Sequence, residues 1–276
     1  MNELFNNPLF QSALAPLTVA LLSGALLRPL GGTWAGLGFA LGYATSVYFT
    51  TGFQVLPLTS TRKVMLLALA AVAIGVLLDQ LKYSRRFVPW ALAVMAAGAA
   101  TWVIWPVLKR AEGMEFWLLS LSTVYAAWMV GWFDGLRNQQ LAATTSAVSL
   151  GVSTGVSAVL GASALLGQLG GAIAAAAGAL VVLQLFLKRI VIGRSFVLPV
   201  AVLASLIGIA AVIYAGMSWY VLIPLALIPL TARLPVNQNW NQFVQAIALT
   251  GYSAVPATIA ILIIWQISKA VEPSLY

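Results

Sequence analysis

A chain of 276 residues that is 62% hydrophobic and only 7% charged lies far from the roughly 45–50% apolar and about 25% charged usage of soluble domains, and a water-soluble fold is excluded. It has no cysteine and no histidine, so it lacks the usual ligands of zinc, copper, haem and iron–sulfur centres and can form no disulfide; no metal or cofactor is expected. The formal charge of +8 comes from basic residues scattered among short inter-block links, which is a topological signal and not a nucleic-acid-binding patch.

The apolar blocks predict an all-α fold: a polytopic transmembrane helix bundle of about ten spans, within a range of eight to ten. There is no soluble domain, and residues 1–276 form a single integral membrane domain. At roughly 20 residues per span, ten spans leave about 7 residues for each link or tail. The first block, Leu9 to Leu27, follows a head whose only charged side chain is Glu3. Without a basic leader or a small-residue cleavage site it reads as a retained span. The second block, 34–56, contains the isolated amide Gln54, and the pairs Gly32–Gly36 and Gly38–Gly42 predict close helix packing. Blocks three to five cover 64–81, 87–108 and 116–133.

The sixth block, 141–166, is the most unusual. Thr145, Ser149, Ser153 and Ser157 recur every four residues, which places their hydroxyls in one stripe along a helix. Such a stripe is a candidate polar path for a neutral solute. The more ordinary role is bonding back to carbonyls of the preceding turn or across to a neighbouring helix. Gly151–Gly155 and Gly167–Gly171 add two further close-packing pairs. A tight uncharged turn is expected at Gly167, before a seventh block at 168–187 that holds Gln168 and Gln184, amides expected to mark helix contacts.

The eighth block covers 195–215; the ninth and tenth, 219–234 and 243–266, carry Pro224, Pro229 and Pro256. An interior proline removes a backbone donor, so these helices are expected to be kinked or interrupted, their freed carbonyls meeting a solute or a neighbouring hydroxyl. The polar, uncharged stretch Pro235 to Gln245 between them reads as an interfacial loop or the lead into a helix. A weak internal repeat would relate 50–81 to 153–184, because Thr51-Gly52, Ser60 and Gly75 match Thr154-Gly155, Ser163 and Gly178.

Alternate links divide the basic residues unequally. One side holds Arg28, Lys82, Arg85, Arg86, Arg137, Lys188, Arg189, Arg194 and Arg233; the other holds Arg62, Lys63, Lys109, Arg110 and Lys269. The richer side is expected to be cytoplasmic, with both termini outside. Trp34, Trp90, Trp117, Trp132, Trp219 and Trp265 lie near block ends, where indole rings anchor at headgroup depth.

The acidic residues Glu3, Asp79, Glu112, Glu115, Asp134 and Glu272 all fall in tails or near block ends, which disfavours a carboxylate proton relay within the membrane. Asp134 and Arg137 are placed for a local ion pair or cap. Aspartate-rich transferase motifs, phosphate loops and nucleophile elbows are absent, so an enzyme is disfavoured. The expected function is a permease or channel for a small neutral or weakly anionic solute, its path built from the stripe, Gln54, Gln168 and the broken helices. The alternative is a non-catalytic structural or accessory subunit of a larger membrane complex. Expected partners are membrane lipids and a second copy or other membrane subunits, with no nucleic acid. The absence of cysteine fits a bacterial cytoplasmic (inner) membrane.

Overall fold

A computed structural model describes residues 7–31, 33–53, 56–81, 87–161, 163–187 and 190–271. Among these residues every regular element is helical. Helix α1 (Phe10–Leu30) closes in a tight turn at Arg28–Leu30. Helix α2 (Leu37–Thr51) stops at Gly52, whose φ of +65° suits a residue without Cβ. Helix α3 (Ser60–Gln80) starts at Thr59, whose hydroxyl accepts from the Arg62 N–H. Helices α4 (Val88–Leu108), α5 (Met114–Asp134) and α6 (Gln140–Leu160) follow, then α7 (Ala164–Phe186) and α8 (Arg194–Ala215). The chain ends with the short α9 (Leu222–Thr231) and the long α10 (Gln242–Val271).

The fold is an all-α bundle, and eight of these helices are long and apolar enough to cross a membrane. Helices α2 and α9 are shorter. With the helical turn Trp219–Val221 that leads into α9, the apolar helix runs Trp219–Thr231 and extends only about 20 Å, short of a hydrocarbon core about 30 Å thick.

Three local expectations need correction. The turn between α6 and α7 lies before Ser163, whose hydroxyl accepts from the Leu166 N–H and caps α7; Gly167 is inside the helix. Pro224 lies near the start of the continuous helical stretch Trp219–Thr231, in the first turn of its α-helical part, and does not interrupt it. Helix α10 runs without interruption through Pro256, whereas Pro229 lies near the end of α9.

Helix α8 is the centre of the bundle, with 89% of its span buried. Helix α3 lies along it at the closest distance backbones allow, since a Cβ on Gly75 would stand 2.4 Å from the Arg194 carbonyl oxygen. Helices α1 and α2 meet through Gly24, Gly38 and Gly42; a Cβ on Gly42 would lie 2.5 Å from the Pro16 carbonyl oxygen. Gly36 instead abuts Ser195 at the start of α8. Helices α6 and α7 meet through Gly151, Gly155, Gly167 and Gly170, while Gly171 faces Ser12 in α1. Gly32 and Gln54 lie outside the described residues.

The links alternate between two ends. At one end Thr33, Asp79, Asp134, Gln140 and Ile192–Ser195 are joined by hydrogen bonds, and Arg233 reaches Trp132 beside them. The α1–α2, α5–α6 and α9–α10 links, with the helix ends flanking the α3–α4 and α7–α8 links, therefore share this end. At the opposite end Lys63 donates to the Trp102 carbonyl at 3.0 Å, and Gly161 abuts Met217.

Candidate functional site

The end of the bundle that carries Asp79, Asp134 and Arg194 is held by buried charge. The two carboxylate oxygens of Asp79 accept the N–H groups of Arg194 and Ser195, each at 3.0 Å. Asp79 thus caps α8 from another helix, where an anion also meets the positive end of the helix dipole. Gly193 is necessary beside it, because a Cβ there would sit 2.3 Å from Asp79 Oδ2.

Asp134, at the end of α5, receives Arg194 Nε at 2.6 Å and Nη2 at 3.2 Å. It also receives Arg137 Nη1 at 2.7 Å. The side chains of Asp134 and Arg194 are 3% and 4% exposed, against 25% for Arg137. Two carboxylates and two guanidiniums sum to zero charge, which lets the group reside at the edge of the hydrocarbon. Gln140 continues the network: its Nε2 donates to the Arg137 carbonyl and its Oε1 accepts the Ile192 N–H. Gln184 accepts from Thr144 Oγ1 at 2.7 Å and so ties α7 to α6.

Two polar clefts flank this network and share Asn138 and Gln140. The smaller, about 220 Å³, is bordered by Thr33, Asp79, Arg137 and Arg194. The larger, about 490 Å³, is lined by Asn138, Gln139, Gln140, Gln238 and Gln245, together with Arg233 and Leu141. Among the described residues, Arg233 is the only charged one in that lining. Its guanidinium lies 4.4 Å from the centre of the Trp132 ring, and Nη2 donates to the Trp132 carbonyl. Partial burial lowers its pKa, and stacking on the indole offsets part of that desolvation.

The hydroxyl stripe begins one helical turn beyond this larger cleft, since Thr145 Oγ1 donates at 2.8 Å to the carbonyl of the cleft residue Leu141. Thr145, Ser149, Ser153 and Ser157 are all buried. Ser153 lies roughly 160° around α6 from Gly151 and Gly155, the residues that meet α7, so the stripe points away from α7. The other neighbours of α6 are α8, α9 and α10, and two of these carry Pro224, Pro229 and Pro256.

The hydroxyls differ in their bonding. Ser153 Oγ bonds back to the Ser149 carbonyl at 2.7 Å, whereas the hydroxyls of Thr154, Ser157 and Ser253 are buried without a hydrogen-bond partner in the protein. Gln168, on α7 and half-buried, is not part of the cleft lining. Asp79, Gln140, Arg194 and Arg233 were not singled out from sequence as site residues. The available signal was the rarity of a carboxylate or amide at a helix end in so apolar a chain.

No protein-family model and no curated protein matches this sequence.

Proposed function

We propose that this multi-pass membrane protein is a permease for small neutral or weakly anionic solutes. On this reading the 490 Å³ cleft is the vestibule, and the seam between α6 and α10 is the path. One observation carries the reading: a cleft that is amide-rich and, among the described residues, has a single cation and no carboxylate adjoins a stripe of buried hydroxyls, of which Ser157 has no partner. A helical serine can bond to the carbonyl of the previous turn, as Ser153 does. A buried hydroxyl left unpaired costs about 1–3 kcal/mol, and a passing solute or water would offset that cost. Because Ser153 and Ser157 are fully buried, passage requires α10 to move away from α6.

A path of hydroxyls and amides with one guanidinium at its mouth cannot repay the desolvation of a multivalent ion, which restricts the solute to an uncharged molecule or a monovalent anion. The richer basic end would face the cytoplasm of a bacterial inner membrane, with both termini outside. The second reading, an accessory subunit of a larger complex, draws on the exposed apolar face of α4, where Trp90, Val94, Trp102 and Trp105 protrude.

The test is flux into liposomes containing the purified protein, measured by swelling with urea, glycerol, glycine and acetate. Ser157→Ala removes an unpaired hydroxyl, so its melting temperature should hold or rise while flux falls. If the unmodified protein passes none of these solutes, the permease reading fails and the subunit reading replaces it; if it passes them but Ser157→Ala leaves flux unchanged, the hydroxyl stripe is not the path.

A further inference from the structure

Between α5, α8 and α9 lies an apolar groove of about 500 Å³, the size of a small-ligand site. It exists because α9 is too short to cover the faces of α5 and α8 through the full depth of the bilayer. Its polar side chains are few, and most are accounted for. Ser122 Oγ donates to the Leu119 carbonyl at 2.6 Å, and Trp128 Nε1 donates to the Ala226 carbonyl at 3.0 Å. Ser218 lies in the α8–α9 link at the groove's end.

Tyr125 is different. It lines the groove, is 8% exposed, and its hydroxyl is buried with no hydrogen-bond partner. It stands about 16 Å along α5, near the middle of a hydrocarbon core about 30 Å thick, where no water is available to satisfy it. The ester oxygens of a phospholipid remain at the headgroup boundary, so an acyl chain can fill the groove yet leave this hydroxyl unpaired. The molecule that answers both features is apolar, uncharged and dissolved in the membrane core, with a carbonyl oxygen deep in the bilayer.

We propose that this groove binds a neutral membrane-dissolved lipid bearing a ketone- or quinone-type carbonyl, which accepts a hydrogen bond from the Tyr125 hydroxyl once that side chain turns from its buried place beside Gly208 toward the groove. The site shares no lining residue with the vestibule and does not depend on the permease reading. The same combination recurs between α2, α3 and α8, where Tyr43, 4% exposed and likewise without a partner, lines a second apolar groove of about 330 Å³.

The test compares two probes of equal chain length, 2-dodecanone and dodecane, in which a carbonyl replaces one CH2 group, by their effect on the melting temperature of the purified protein in a neutral detergent. For the unmodified protein the ketone should raise it further than the alkane by about 2–4 °C, the shift that one net hydrogen bond gives in a chain of this size. That difference should vanish in Tyr125→Phe, which keeps the ring. In Ala226→Leu, which narrows the groove, both shifts should shrink. Equal shifts from the two probes, no shift from either, or a ketone advantage that survives Tyr125→Phe would overturn the proposal.

Discussion

Replacing Asp134 by asparagine removes one negative charge and leaves two guanidiniums facing an amide. Arg137, with a quarter of its side chain exposed, can turn to water. Arg194, 4% exposed and held in two-point contact at 2.6 and 3.2 Å, cannot follow without unwinding the start of α8. Breaking a buried pair from one side typically costs about 3–5 kcal/mol. The mobility of Arg137 places this case near the lower end, which corresponds to a fall of roughly 6–12 °C in melting temperature. Intrinsic tryptophan fluorescence during heating in detergent reads this directly. The double variant Asp134→Leu/Arg194→Met removes both charges and should recover most of the loss. If Asp134→Asn melts within about 2 °C of the unmodified protein, water reaches the pair and the account of a dry clamp is wrong.

Asp79→Asn should cost less, about 1–2 kcal/mol, because the amide oxygen still accepts one of the two N–H groups at the start of α8; the same melting assay measures it. Gly151→Leu should destabilise the bundle strongly, since even a Cβ would lie 2.4 Å from the Ala174 nitrogen. Val152→Leu, on a face 44% exposed, should stay within about 0.5 kcal/mol, and similar melting of the two would place the α6–α7 contact elsewhere. For orientation, cysteines replacing Asn138 or Gln238 should resist an impermeant maleimide on intact cells, while one replacing Glu112 should react. The opposite pattern would invert the topology.

The bundle was readable because hydrocarbon demands long apolar runs, and each of the ten blocks corresponds to a helix. The position of a turn was less readable. The stretch around Gly161 and the stretch around Gly167 have nearly the same composition, and only the capping geometry of Ser163 separates them. Pro256 shows a second limit, since a missing donor predicts a lost hydrogen bond but not whether the helix ends there. The clamp was least accessible. Arg194 reads locally as one more basic residue near a link, and its partners Asp79 and Asp134 come from helices far away in sequence. The local pair of Asp134 and Arg137, three residues apart, was expected and is present.

The permease reading rests on whether water enters the seam between α6 and α10, and the chain's freedom from cysteine makes that measurable. Single cysteines at 149, 153 and 157 on the stripe, and at 152 and 156 on the exposed apolar face, can be exposed in membranes to a small, charged, water-soluble thiol reagent. A cysteine at Asn138 in the vestibule serves as the positive control. The account predicts reaction at 153 and 157, slower than at 138 and slowed further by a transported solute, with none at 152 or 156. Reaction at 138 alone, with the stripe silent, would contradict it and leave the hydroxyls as packing.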